Sequence, residues 1–233
     1  MHYTVQPLEL LAENSRGNLA HTKFTTTEGL CGEVSHLVAE VSNCAAVVIN
    51  KGFFEYFLAD KIVDFHERFP QVNIDLTEDF TPDTITKLKE DKCDVAFVNL
   101  PIETDADLKL YGNCMLLNDT FVTGGKFADL AEEKLTLAEL KKYPLIFMDK
   151  NTVARRSLDA FLQSIGVSLQ PAIEVGSWDL MKRLVTSGMG VGVIPREYAT
   201  RRLQDGELFE VKTDTPLPAR SVGMLLPKDI IVW

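Results

Sequence analysis

From Ala45 to Leu226 the chain alternates short apolar runs with longer stretches in which apolar residues recur every three or four positions. That alternation limits the fold more than any other feature of the sequence. Runs such as AAVVIN (45–50), VNIDLT (72–77) and VAFVN (95–99) have the length and β-branched content of strands. Between the first two, Phe53–Phe69 places apolar side chains at positions 54, 57, 58, 62, 65 and 69, one face of a helix. The helix stops at Phe69-Pro70, because a residue before proline is steered out of helical geometry. Thr81-Pro82 reads as an N-cap with proline at the first helical position, opening a helix to about Glu90. Two β-prone runs lie within Leu108–Gly125, and a helical stretch is expected over 126–142. The pattern then repeats. Strands are expected at Leu145–Met148, Ala172–Val175 and Val191–Ile194, with helices at Thr152–Ile165, Trp178–Ser187 and Arg196–Leu203. Leu208–Val211 and Ser221–Leu226 complete the series as strands.

Strands alternating with helices of this length mean βαβ units, so the sheets should be mostly parallel and covered on both faces. Two such sets occur, one before about residue 120 and one after it. The fold class is therefore α/β, with two Rossmann-like subdomains joined by crossing strands. A ligand in such a fold sits in the cleft at the carboxyl ends of the strands. Ahead of this region, residues 1–26 are polar and irregular, with an apolar knot at Leu8, Leu10 and Leu11. Thr25 and Glu28 have capping-box spacing, and Leu30, Val34, Leu37, Val38 and Val41 then form one narrow apolar stripe of a helix. A stripe like this needs a partner, either the body of the domain or a second copy of the same helix.

Charge narrows the choice of partners. The formal net charge is -10 over 233 residues, whereas a free-standing DNA clamp or a membrane-surface protein needs a basic face. The four cysteines, Cys31, Cys44, Cys93 and Cys114, show no CxxC spacing and no zinc-ligand pattern with histidine. They read as buried free thiols in a reducing compartment. The N-terminus lacks the basic and apolar blocks of a secretory signal, and no run of about 18 apolar residues marks a membrane span. A cytoplasmic protein is expected.

The stretch SGMGVGVIPREYA (187–199) spaces Gly188, Gly190 and Gly192 like a phosphate loop. A dinucleotide fingerprint requires strand, glycines, then helix, but here the order is helix, glycines, strand. Gly188 instead suits a left-handed helix terminus, and Gly190 and Gly192 alternate with valines where a strand packs closely on a neighbour. No GxSxG elbow is present, and His2, His21, His36 and His66 converge on no serine and carboxylate. No catalytic residue, cofactor or metal is assigned. Polar residues do gather where strands end and helices begin: Asn50-Lys51-Gly52, Asn99-Leu100-Pro101, Asn151-Thr152 ahead of Arg155 and Arg156, and Ser177 with Asp179 two residues on. Thr152 and Ser177 serve at least as N-caps. Helix N-termini also present N–H groups and a positive dipole end, so the set is a natural seat for a small anion.

Several pieces of the chain, in order and spacing, resemble a LysR-type transcriptional regulator over about residues 22–228. TKFTTTEG is similar to the family's wing and the start of its linker helix. FFEYFLADKIVDFHERFPQVNIDL, KLKEDKCDVAFV, YPLIFMDKNTVARRSLDAF, SWDLMKRLVTSGMGVGVIPREYA, GELFEV and RSVGMLL follow as in the effector-binding domain. The resemblance implies a type 2 periplasmic-binding-protein-like fold preceded by a linker helix. The corresponding boundaries are a winged helix-turn-helix remnant at 1–26, a dimerisation helix at 27–43, subdomain I at 44–119 with 220–233, and subdomain II at 120–219. It implies a small-molecule effector, an organic anion or amino-acid-like metabolite, lined by Asn50, Lys51, Gly52, Asn99, Pro101, Thr152, Ser177 and Asp179. Lys51 would supply the charge partner. A homodimer or homotetramer is implied, with DNA as a partner only where a helix-turn-helix is present, and no membrane. The chain departs from the family where NKGFF replaces small hydroxyl residues, so that Lys51, Phe53 and Phe54 would alter or partly fill the pocket. The helix-turn-helix and the last helix of the pattern cannot be read either. A ligand-blind dimerising remnant, or a solute binder or enzyme on the same fold, are the competing readings.

Overall fold

The computed structural model describes residues 44–49, 51–103 and 107–228, together with the antiparallel strand pair β1 (Glu9–Leu11) and β2 (His21–Lys23). The expected helix at 27–43 and Asn50 lie outside the described residues. The described residues fall into two compact units. Unit 1 runs to Met115 and resumes at Ser221; unit 2 is Leu116–Arg220.

In unit 1, β3 (Cys44–Ile49) leads into a continuous helical run. It begins as α1 (Lys51–Phe53), passes through a π-helical stretch at Phe54–Leu58 and continues as α2 (Ala59–Arg68). β4 (Asn73–Glu78), α3 (Thr81–Lys89), β5 (Val95–Leu100) and β6 (Leu108–Leu117) follow, and β14 (Arg220–Pro227) returns to the same sheet. The strand order is β4-β3-β5-β14-β6. β3 is parallel to both β4 and β5, and β14 is antiparallel to β5. The unbroken apolar run Val95–Val98 is buried throughout, as a strand covered on both faces must be. Leu88 of α3 packs with Cys93, Ala96, Val98, Leu108 and Leu225 on one such face. Phe53 is fully buried and stacks on Phe97 with centroids 4.9 Å apart, so it belongs to the core and does not fill a pocket.

Unit 2 repeats the plan. β7 (Asp119–Thr123), β9 (Leu145–Met148), α4 (Val153–Ser164), β10 (Ile173–Val175), α5 (Trp178–Thr186), β11 (Val191–Pro195), α6 (Arg196–Gln204) and β12 (Phe209–Glu210) form its main layer. The order is β10-β9-β11-β7-β12. β9 is parallel to β10 and β11, whereas β7 is antiparallel to β11 and to β12. The core of this unit joins Phe121, Leu145, Phe147 and Val193 of the sheet to Leu158 and Leu162 of α4. Both sheets are thus mixed: in unit 1 β14 runs against β5, and in unit 2 the first strand, β7, runs against β9, β10, β11 and β12, which share one direction.

Two local expectations are corrected. Thr81 is the first residue of α3, not its N-cap; Phe80 precedes the helix and makes no side-chain cap bond. The stretch 126–142 is not one helix. It comprises a 3-10 helix at Gly125–Glu132, the short strand β8 (Lys134–Leu135) and a second 3-10 helix at Glu139–Lys142. Its buried residues Leu130, Leu135, Leu137 and Leu140 are spaced five, two and three apart, which no single α-helical face can satisfy. β8 pairs in parallel with β13 (Lys212–Thr213).

The glycine stretch is structural. Gly188 has φ +73°, its N–H donates to the Val185 carbonyl, and the Met189 N–H donates to the Leu184 carbonyl. This pair of bonds is a Schellman closure of α5. A Cβ on Gly190 would lie 2.0 Å from the Pro144 carbonyl oxygen. One on Gly192 would meet Val185 and Met181 of α5.

Candidate functional site at the strand ends

The three parallel strands of unit 2 end together, at Met148, Val175 and Pro195. Each passes into a helix within a few residues, so α4, α5 and α6 start at one edge of the sheet. β7 runs the other way, and its first residue, Asp119, lies opposite Pro195. The first-turn N–H groups of a helix have no partner within it, and their dipoles add up to a local positive potential. Three helix starts at one edge therefore favour an oxygen-rich, negatively charged ligand.

The two hydroxyl caps differ in detail. Thr152 is buried; its Oγ1 accepts from the Arg155 N–H at 3.2 Å and donates to the Asp149 carbonyl at 2.7 Å. The Asn151 N–H donates to Asp149 Oδ1 at 2.8 Å, so the loop before α4 is internally satisfied. Ser177 is half-buried, and its Oγ accepts from the Leu180 N–H at 3.3 Å. Among the described residues nothing takes the Ser177 hydroxyl hydrogen. Asp179, in the first turn of α5, is ion-paired with Lys182 at 2.9 Å. Lys182 is itself buried, so much of that carboxylate is committed within its own helix.

Of the residues expected in unit 1, Lys51 opens α1 and Gly52 is buried in the same turn. Asn99 is half-buried near the end of β5, and Pro101 is exposed after a cis peptide bond at Leu100-Pro101. These residues share the carboxyl ends of β3 and β5. The structure thus gathers Gly52, Lys51, Asn99 and Pro101 at the strand ends of unit 1, and Thr152, Ser177 and Asp179 at those of unit 2.

Four further residues shape the unit 2 edge and were missed in the sequence. Trp178 meets Tyr198 edge to face, with centroids 5.9 Å apart, which ties the first turn of α5 to that of α6. Asp119 and Arg220 form a buried ion pair, with side-chain exposures of 8% and 2%. The available signal was a charged residue at the head of each of two strands, DTFVT and RSVGMLLP. Arg155, flagged only for its place in α4, holds Asp159 through Nε at 2.9 Å and Glu174 through Nη1 at 2.7 Å. Burial works to lower its pKa, but the bonds from Glu174 and Asp159 outweigh it and raise it. Cys93 is buried, and loss of hydration pushes its thiol up to about 11, which makes it unreactive. Among the described residues no cluster of potential metal ligands occurs, and no helix is long and apolar enough to cross a membrane.

Two α/β units with the same strand order, each with helix starts gathered at one sheet edge, define a type 2 periplasmic-binding-protein-like ligand-binding fold. Solved structures of that kind superpose on the chain. The cofactor-binding domain of the Cbl transcriptional regulator does so with a TM-score of 0.71 at 20% identity, covering 82% of each chain. The effector-binding domain of QuiR in complex with shikimate has a TM-score of 0.67 at 15% identity, covering 82% of this chain and 90% of that one. The regulatory domain of Synechocystis CcmR in complex with 2-PG has a TM-score of 0.70 at 15% identity, covering 79% and 88%. Residues 47–230 match the family model for the LysR substrate binding domain, and the chain belongs to that family. Among curated relatives, the Escherichia coli regulator YeiE is 22% identical over 212 residues, covering 91% of this chain and 71% of its own length. CysB of Burkholderia cenocepacia is 25% identical over 161 residues, covering 66% of this chain and 51% of its own length. Both are helix-turn-helix transcriptional regulators, so the chain carries a regulator's effector-binding domain and not an enzyme's active site.

Proposed function

We propose that this domain senses a small organic anion or amino-acid-like metabolite, held at the strand-end edge of unit 2 and by Asn50, Lys51, Gly52, Asn99 and Pro101 of unit 1. The observation that carries the reading is the convergence of three helix starts on one sheet edge, with the Ser177 hydroxyl hydrogen uncommitted among the described residues. Ser177 is the side-chain donor. Thr152 works through the helix start that it organises, because its own hydrogen is engaged by Asp149. Lys51 supplies charge from unit 1, and Asp179, held by Lys182, faces an amino group where the ligand has one. The neighbours that bind shikimate and 2-PG support a small oxygen-rich ligand.

Binding changes the population of two arrangements by the ligand's differential affinity for them. A dimer or tetramer passes that change to a DNA-binding segment acting on transcription in the cytoplasm. The test is a thermal-shift measurement with shikimate, 2-PG, succinate, benzoate and glutamate at millimolar concentration. At least one probe should stabilise the wild type, and its shift should shrink in Ser177→Ala and in Thr152→Ala. A panel without effect, or variants that respond like the wild type, would remove the edge from the binding site.

A further inference from the structure

Arg220 is the last residue of unit 2, and its side chain is 2% exposed. Its Nε donates to Asp119 Oδ2 at 2.5 Å and its Nη2 to Asp119 Oδ1 at 2.8 Å. This side-on fork uses both carboxylate oxygens and two of the five guanidinium N–H groups. The remaining nitrogen, Nη1, is buried and has no hydrogen-bond partner among the described residues. Two donors of a charged group, removed from water and given no acceptor, are a destabilising arrangement that folded chains rarely retain without use.

The same unit shows what a buried arginine in a structural role looks like. Arg155 places Nε on Asp159, and Nη1 on both Glu174 and the Met148 carbonyl. It bridges two carboxylates at once. Arg220 has one carboxylate and, among the described residues, no acceptor on its second face. The register puts the pair itself in a telling place, because Asp119 lies opposite Pro195, at the edge where β9, β10 and β11 give way to α4, α5 and α6.

We infer that Arg220 is the buried cation of the binding site, with Nη1 taking an oxygen of the ligand's carboxylate. The inference rests on the reading of that edge as the ligand's seat. Asp119 fixes the guanidinium plane, so that Nη1 and the second N–H of Nη2 form a parallel fork. Such a fork matches a carboxylate in two hydrogen bonds, which a lysine ammonium cannot reproduce. Burial strengthens the contact, since little water competes for it.

Titration calorimetry on the full chain tests this with the same five probes. Wild type is compared with Arg220→Lys, with the double variant Asp119→Asn/Arg220→Gln, which keeps a neutral hydrogen-bonded pair, and with Ser177→Ala. The tightest carboxylate should lose roughly ten- to a hundredfold in affinity in both Arg220 variants, and less in Ser177→Ala. If Ser177→Ala weakens binding while both Arg220 variants bind like the wild type, Arg220 is structural and the inference falls, with the edge reading intact. If no probe binds, or if none of the variants matters, the edge reading falls and takes this inference with it. A crystal structure of the wild type with the tightest carboxylate is independent of how the variants fold. It should show a ligand oxygen on Nη1; a water there, with the probe elsewhere, overturns the assignment.

Discussion

At one end of the unit 2 sheet, β9, β10 and β11 stop at Met148, Val175 and Pro195, and three helices start from Thr152, Ser177 and Pro195. At the other end, α5 closes at Gly188, where a Cβ would lie 2.9 Å from the Lys126 amide nitrogen, and Gly190 lies on the Pro144 carbonyl. At the second end Gly188 and Gly190 pack most closely on backbone atoms. The first is lined by hydroxyl, carboxylate, guanidinium and aromatic groups. The same helix, α5, has the terminus proposed to take the ligand at one end and its packed terminus at the other. Glycine-rich sequence therefore marks the closely packed end of this unit, and the polar caps mark the end proposed to take the ligand.

If that division holds, substitutions at the packed end should cost stability and leave binding intact. Gly190→Ala is the severest. Its methyl would sit 2.0 Å from a backbone oxygen, and that oxygen also accepts the Val191 N–H at 2.9 Å. Neither group can swing away like the tip of a side chain. A loss of at least about 3 kcal/mol is expected, or roughly 6–12 °C in the melting temperature. Carboxylate affinity, measured well below that transition, should match the wild type. A stable Gly190→Ala protein, or a folded one that no longer binds, breaks the comparison.

Gly188→Ala comes next. The residue sits at φ +73°, where an L side chain costs about 1–2 kcal/mol, and the added methyl also presses on the Lys126 amide. Thermal denaturation should show a loss of about 2 kcal/mol, smaller than that of Gly190→Ala, again with binding unchanged.

The packed end was legible in the sequence because its cause is local. Helix, glycine, then valines at strand period identify a helix terminus entering a buried strand, and no distant residue is needed. The alternation of strands and helices was legible for the same reason, as each element carries its own period. The stretch after Gly125 was not. Leu130, Leu135, Leu137 and Leu140 are apolar enough for a helix, but they are buried by β13 and the core, so tertiary contact decides their shape. At the open end the caps Thr152 and Ser177 were readable from their position before a helical period. The Asp119–Arg220 pair was not, since its partners are 101 residues apart and each looks like an ordinary charge at a strand's start. Pairings of that range come from topology, which a single sequence does not display.

The smallest expected change in stability gives the sharpest test of the open end. Ser177 has one observed and one proposed role: its oxygen caps α5 through the Leu180 N–H, and its hydrogen is the donor proposed for the ligand. Ser177→Asp separates them. Aspartate caps as well as serine and places a negative charge at the helix's positive end, so the melting free energy should stay within about 0.5 kcal/mol of the wild type. The same charge would face the incoming anion and remove the Ser177 hydroxyl donor, so carboxylate binding should fall below detection in calorimetry. An N-cap far from the ligand would predict the same stability with full affinity. The variant therefore distinguishes a cap that merely starts a helix from one that also holds a ligand, and folding cannot confound the result, because the substitution keeps the cap bond.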